Sequence, residues 1–303
     1  MSLLKLYNLQ LASLMGQGME AQVFALDENH ILKIYHRAPP LAHLQTLQKF
    51  YEQLDSQNLP YALPQIKEIG TENGQLYVIE KRLKGRNLEQ VSREVDPSGL
   101  EQILERYMHA LYAFSKITLK TPVTQYKLFD EEGISLVTAG DWHAFLKRYI
   151  AQRLGQTPCL SGDVTNLDEK LARLFQILSQ PYTGKLSVIH GDFFPGNLLV
   201  DESLTVTSLF DFGVFTMFGD HLFDVATGCV FFDMYDQLGQ NIRKRLFALA
   251  AKIYGPHITG VLHRYVLIFS LISANFYAPD CSDGHYQWCV ANLNTPELWE
   301  NLQ

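Results

Sequence analysis

Alternating apolar and polar positions dominate the first 83 residues, and beyond them apolar positions recur three and four apart. The runs at 21–26 (AQVFAL) and 30–35 (HILKIY) are β-rich and separated by Asp27-Glu28-Asn29, which predicts a hairpin. A second pair, 65–70 (QIKEIG) and 75–83 (QLYVIEKRL), flanks Glu72-Asn73-Gly74. Together they predict a small antiparallel sheet. Between the pairs, Leu41, Leu44, Leu47, Tyr51 and Leu54 keep helical spacing after Pro39-Pro40 and before Pro60, so one helix is expected to pack on that sheet.

After Gly85 the pattern is that of long helices. Ser98 and Glu101 have capping-box spacing ahead of Leu100, Ile103, Leu104, Tyr107, Leu111 and Phe114. Asp141 is placed to cap a helix reaching Gly155, and another helix from about Asp168 is stopped by Pro181. Strands are expected again at 187–190, 198–200 and 206–212, followed by helices at about 222–238, 241–254, 258–277 and 285–293. The change of period sets an expected boundary, with units at 1–83 and 84–303.

A length of 303 residues suits two such units, and 47% hydrophobic with 19% charged residues excludes an intrinsically disordered chain. The most apolar segment, VLHRYVLIFSLISANF, is interrupted by His263 and Arg264 and reads as a buried helix, so no membrane span is expected. The opening MSLLKLYNLQLASLM lacks a small-residue cleavage site, which favours a cytoplasmic chain over a secreted one. Cys159, Cys229, Cys281 and Cys289 form no CxxC pair and are read as reduced, buried thiols. The net charge of −7 argues against nucleic acid as a partner. Residues 1–85 hold eight basic and eight acidic side chains, leaving 17 of the 25 basic and 24 of the 32 acidic residues beyond, so the whole excess is C-terminal.

The chemistry concentrates in His190-Gly191-Asp192-Phe193-Phe194-Pro195-Gly196-Asn197 and in Asp211-Phe212-Gly213 beyond a predicted hairpin. Phosphoryl transfer needs a carboxylate to orient the acceptor hydroxyl, and an amide with a second carboxylate to hold metal ions bridging the nucleotide phosphates. The five-residue step from Asp192 to Asn197, a hairpin and then Asp-Phe-Gly reproduce that order. Upstream, Gly16-Gln17-Gly18 supplies glycines that let backbone amides approach phosphate, and Lys33, inside an apolar strand, needs an anionic partner.

On these motifs, and on Gly219-Asp220-His221-Leu222-Phe223-Asp224-Val225-Ala226, the chain resembles the aminoglycoside phosphotransferase and choline-kinase-like family. The resemblance runs from Gly16 to about Ala226. It implies an α+β, bilobal, protein-kinase-like fold: a small antiparallel-sheet lobe with one helix, and a larger, mainly helical lobe. It also implies an ATP or GTP site with Mg²⁺ between the lobes, and a pocket in the second lobe for a small-molecule hydroxyl acceptor. Carried over by position, Asp192 is the catalytic base, Asn197 and Asp211 are metal ligands, Gly16 and Gly18 cover the phosphates and Lys33 contacts them. The adenine is placed against the hinge near Glu80 and Arg82.

Two departures from the family pattern stand out. The helix glutamate that pairs with the family's lysine has Gln45, Gln48 and Glu52 as its counterparts on one stripe, of which Glu52 is favoured. The hinge reads Ile79-Glu80-Lys81-Arg82-Leu83-Lys84-Gly85 where a more apolar segment is common. His190 and Asp224 are expected to hold the catalytic loop, and Phe210, Phe212, Phe215, Phe218, Phe223, Phe231 and Phe232 to be mostly core.

A protein kinase is disfavoured because Gly191 replaces the arginine of the His-Arg-Asp motif and only 12 residues separate Asp211 from Asp224. A nucleotide-binding scaffold without activity is the other alternative. The C-terminal acidic excess permits a cationic acceptor such as an aminoglycoside or amino alcohol, with Asp220, Asp233, Asp236, Asp280 and Asp283 as candidates. Neutral sugar, ketosamine and homoserine-like acceptors stay open.

Overall fold

The computed structural model describes residues 3–18, 20–121, 126–127, 141–300 and 302. In chain order, a single turn α1 (Leu3–Leu6) precedes β1 (Leu14–Gln17), β2 (Ala21–Ala25), β3 (His30–Tyr35), α2 (Leu41–Gln53), β4 (Leu54–Asp55), β5 (Ile66–Glu72) and β6 (Gln75–Lys81). Five of these strands form one antiparallel sheet in the order β1-β2-β3-β6-β5. Both predicted hairpins are present, and β1 adds a strand that alternation alone did not mark. The pleat divides the sheet into two faces. Phe24, Leu32, Ile34, Tyr77 and Ile79 pack beneath Leu3 of α1, whereas Ile66, Leu76 and Val78 pack beneath Leu44, Leu47 and Tyr51 of α2. Lys33 is registered opposite Val78 and therefore lies on the α2 face.

The second lobe runs through β7 (Arg86–Asn87), α3 (Leu88–Glu94), α4 (Pro97–Phe114), β8 (Thr118–Leu119), α5 (Trp142–Gln156), α6 (Leu160–Asp163) and α7 (Leu167–Ile177). It continues through β9 (Ser187–Ile189), β10 (Leu198–Val200), β11 (Val206–Leu209) and β12 (Met217–Gly219) into α8 (Leu222–Phe231), α9 (Ile242–Tyr254), α10 (Thr259–Ser273), α11 (Gly284–Asn294) and α12 (Pro296–Glu300). Its core brings Tyr107 and Leu111 of α4 together with Phe145 of α5, Phe223 of α8 and Leu271 of α10, and it extends to Phe50 of α2. No described helix is long and apolar enough to cross a membrane.

Local chemistry sets several helix ends. Asp96, not Ser98, caps α4: its carboxylate accepts from Gly99 N at 2.7 Å, and Pro97 takes the first helical position, where a missing N–H costs nothing. Asp141 caps α5 as expected, accepting from Ala144 N at 2.9 Å. α8 stops at Phe231, seven residues short of expectation, because Asp233 turns the chain by accepting from Gln237 N at 2.7 Å and Leu238 N at 3.0 Å. α10 ends at Ser273, and beyond it Phe276 and Tyr277 are 40% and 65% exposed. Cysteine usage differs from expectation too. Cys229 and Cys289 are buried free thiols, but Cys159 and Cys281, 122 residues apart, are joined as a disulfide.

Candidate active site

The catalytic-loop sequence folds around one buried carboxylate. Asp224 of α8 accepts from His190 N at 2.6 Å and Gly191 N at 2.8 Å, so it anchors the loop. Burial pushes its pKa up to about 7. Gly191 has φ +82°, and a Cβ there would lie 2.0 Å from the Phe215 carbonyl oxygen, so only glycine fits. His190 Nδ1 accepts from Asp192 N at 3.2 Å, Nε2 donates to Phe210 O at 2.9 Å, and its ring lies 4.4 Å from that of Phe212. Burial lowers its pKa to about 4. The neutral imidazole is thus a strut of the loop, with both nitrogens engaged by backbone.

Asp192 projects from this frame. Asn197 Nδ2 donates at 3.0 Å both to its carboxylate Oδ2 and to its backbone carbonyl. Burial, and next the charge of Asp211, push the Asp192 pKa up to about 6, while the Asn197 bond opposes them. That is the range in which a carboxylate can take a proton near neutral pH. Asp211 is exposed, with φ +69°, and follows Phe210, whose N–H donates to Asn197 O at 3.1 Å. The step from β10 to β11 therefore brings Asp192, Asn197 and Asp211 together.

The opposite wall is the α2 face of the sheet. Lys33 Nζ lies 2.8 Å from Glu80 Oε2. Burial works to lower the lysine pKa, but Glu80, then Tyr35 and Asp211, hold it above the ordinary value. The partner of Lys33 is thus Glu80, from the adjacent strand β6, and not Glu52. Helix phase explains the correction: Leu44, Leu47 and Tyr51 turn toward the sheet, which leaves Glu52 exposed. Among the described residues the Glu52 carboxylate has no partner, while its backbone carbonyl accepts from Lys120 Nζ at 2.7 Å. Gln48 instead donates to Ile66 O at 3.3 Å. The inward position belongs to Tyr51, whose hydroxyl faces the Phe212 backbone N–H and whose ring lies 5.7 Å from that of Phe212. Burial, followed by Glu80 and Asp211, raises the Tyr51 pKa well above that of a free phenol.

Gly16 is paired with Val23, at a register shift that begins at Leu14, and Gly18 N donates to Ala21 O at 2.9 Å, closing the β1-β2 turn. Met19 of that turn lies outside the described residues. At the hinge, the Arg82 backbone N–H donates to Asn29 O at 2.7 Å and its guanidinium to Asp27 O at 3.1 Å. Arg82 is therefore engaged with the turn between β2 and β3. Among the described residues the Leu83 N–H next to it has no acceptor.

The five C-terminal aspartates separate by environment. Asp220 is buried and accepts from Tyr265 Oη at 2.8 Å and Leu222 N at 3.0 Å. Asp233 serves its turn, and Asp280 binds Ser282 Oγ at 2.7 Å. Asp236 is an exposed loop residue at φ +51°. Asp283 differs: Oδ1 accepts from Tyr286 N at 2.7 Å, whereas Oδ2 is buried with no partner among the described residues. Burial pushes the Tyr277 hydroxyl pKa up, and Asp192, Tyr235 and Asp283 add to the shift, so these four side chains share one neighbourhood. Phe215 joins it through Phe276, with ring centroids 4.9 Å apart. Sequence reasoning missed Phe276 and Tyr277 because they continue an apolar helical pattern.

No group of three or more His, Cys, Asp or Glu side chains among the described residues could hold a metal unaided. Asp211 and Asn197 offer hard oxygen donors beside the Asp192 carboxylate. One or two such ligands, completed by substrate phosphates, are what Mg²⁺ commonly takes, so the residues present fit that ion.

A lysine on a five-stranded sheet facing an Asp/Asn loop and an Asp-Phe-Gly segment on a helical lobe defines a protein-kinase-like fold. Within it, the chain belongs to the phosphotransferase enzyme family, whose family model matches residues 12–257. The reaction class goes with that membership: a phosphotransferase acting on a hydroxyl group of a small molecule. Solved structures of the same architecture include the GDP complex of wild-type aminoglycoside 2'-phosphotransferase-IIIa, at 16% identity and TM-score 0.58, covering 95% of this chain and 92% of that one. They also include aminoglycoside phosphotransferase APH(3'')-Id from Streptomyces rimosus with ADP and streptomycin, at 15% identity and TM-score 0.56, covering 90% of this chain and 99% of that one. A third is the streptomycin-ATP-APH(2")-IIa ternary complex, at 13% identity and TM-score 0.54, covering 94% and 92%. Among curated proteins, no relative matches significantly.

Proposed function

We propose that the protein transfers the γ-phosphoryl group of ATP or GTP, bound with Mg²⁺, to a hydroxyl of a small cationic acceptor. The observation that carries this reading is the Asp192 carboxylate, raised to about 6, bonded to Asn197 and within electrostatic reach of Asp211. Residues 1–83 would hold the nucleotide and 84–303 the acceptor, in the cytoplasm, where nucleoside triphosphate is plentiful. Lys33 would bind phosphate oxygens beneath the Gly16-Gly18 turn, with Glu80 holding its ammonium in place, and the Leu83 N–H would meet the base. Asp211 and Asn197 would hold Mg²⁺, which when bound supplies charge neutralisation for the phosphates. Asp192 accepts the acceptor's hydroxyl proton as the new O–P bond forms and the bond to the departing nucleoside diphosphate breaks.

The unpaired Asp283 Oδ2, beside the exposed ring of Tyr277, favours an ammonium-bearing acceptor, because a buried carboxylate oxygen without a donor is costly and an ammonium satisfies it. Solved structures of the same fold that hold streptomycin, a cationic aminoglycoside, support this reading. Nucleotide turnover measured against amine-bearing and neutral hydroxyl compounds tests the reading. Selective turnover with an amine-bearing acceptor supports it. Higher kcat/KM for a neutral sugar or ketosamine overturns the cationic preference, and no turnover with any acceptor despite Mg-nucleotide binding supports the inactive-scaffold alternative.

A further inference from the structure

The hinge departure noted in the sequence has a structural counterpart outside the catalytic cleft. A cavity of about 550 Å³ lies against the hinge, and Lys67, Lys81, Arg82 and Lys84 contribute to its wall. Neither loop glycine, nor Lys33, Glu80, Asp192 or Asp211, lines it; of the groups assigned to the nucleotide, Leu83 borders both sites. The strand pleat accounts for the separation at one end of the hinge: Glu80 faces Lys33, so Lys81, next along β6, projects from the other face.

No carboxylate lines the cavity. The nearby Asp27 is already engaged by the His30 imidazole at 2.9 Å and by the Asn29 and His30 backbone N–H groups at 2.7 Å. Among the described residues, the ammonium groups of Lys67, Lys81 and Lys84 have no ion-pair partner. Asn29 and Gln65 also line it and carry amides that can serve as uncharged donors, while Ala62 and Leu83 are apolar lining residues. In a chain of net charge −7, four cations around one concavity without a counter-charge is a local inversion of sign.

We propose that this cavity binds a small phosphate-bearing anion at a site separate from the nucleotide cleft. Guanidinium and ammonium groups with neutral amides are the donor set that recognises phosphate, and the volume is that of a small-molecule pocket rather than a flat docking face. The apolar lining residues suit a ligand with an organic body behind its phosphate.

The test occupies the cleft first. Protein saturated with a non-hydrolysable ATP analogue, with Mg²⁺ in excess over all phosphate, is titrated calorimetrically with inorganic pyrophosphate. Binding to wild type is expected to weaken as salt rises, and to fall at least about tenfold in Lys67→Ala/Lys81→Ala/Lys84→Ala. That variant should keep its melting temperature and its affinity for the analogue in the cleft, because none of the three lysines makes an ion pair among the described residues. Failure of pyrophosphate to bind once the cleft is filled overturns the proposal, as does equal binding by the variant. Tighter binding of a glutamate-rich peptide than of pyrophosphate overturns it in favour of a protein partner.

Discussion

The two walls of the cleft are built on different physical plans. On the catalytic-loop wall, nearly every group around Asp192 is fixed by backbone: Asp224 binds two successive N–H groups, and both His190 nitrogens meet main chain. The sheet wall is held by side chains, through the Lys33–Glu80 ion pair and the Tyr51 ring packed on Phe212. Backbone anchoring fixes both spacing and residue type, and there the chain carries the five-residue step from Asp192 to Asn197 and the following Asp-Phe-Gly that phosphoryl transfer calls for. Side-chain anchoring can be met by another residue at another position, and there it departs from the family pattern.

The largest test of this contrast is Asp192→Asn. Turnover is expected to fall by at least about a hundredfold with nucleotide affinity nearly unchanged, since loss of a general base typically costs 10² to 10⁴. Steady-state kinetics beside calorimetric nucleotide binding checks it, and near-wild-type turnover would remove Asp192 from its role. Gly191→Ala should abolish activity through structure, because its Cβ would strike the Phe215 carbonyl. A folded variant with normal turnover would show that the loop is less constrained than its geometry indicates.

On the sheet wall the effects should be smaller. Glu80→Gln is expected to raise KM for the nucleotide by about tenfold, because Lys33 loses the charge that holds it, while Glu52→Gln stays within about twofold. The reverse ranking would restore the helix glutamate as partner. The pH profile distinguishes the walls again. With its pKa raised to about 6, Asp192 is ionised only above that value, so kcat/KM should climb with pH and level off beyond it. The sign for stability is opposite. A carboxyl whose pKa is higher folded than unfolded contributes fully below its unfolded value and loses that contribution as pH rises through about 6. Asp192→Asn should therefore be the more stable protein at pH 8, by on the order of 1 kcal/mol. Thermal melts at pH 5 and pH 8 would show whether the difference opens in that direction. On the acceptor side, Asp283→Asn is expected to raise KM for an amine-bearing acceptor by about three- to tenfold with kcat little changed. Unchanged KM would detach Asp283 from the acceptor.

What could be read in the sequence was whatever neighbouring residues decide among themselves. The two hairpins, α2 after its proline pair, the Asp141 cap and the Asp192-to-Asn197 step all depend on contacts a few residues apart. The lysine's partner depends on the register between β3 and β6 and on the rotation of α2, and neither is written in any one segment. Tyr51 was read as a core position, which it is, but its hydroxyl serves Phe212, 161 residues on. The Cys159–Cys281 link and the cavity at the hinge likewise arise only once distant segments meet. Phe276 and Tyr277 escaped because an apolar pattern does not reveal where a helix stops.

Lys33 and Glu80 sit on hydrogen-bonded neighbouring strands of one sheet. In protein kinases the corresponding lysine pairs with a glutamate on a mobile helix, so swinging that helix away disarms the enzyme. Here the helix α2 supplies no member of the pair, and displacing it would leave the two charges together. The on/off device that signalling kinases build into this contact has no lever in this chain. Its output would follow the supply of donor and acceptor, as suits an enzyme that is always armed rather than one that waits to be switched.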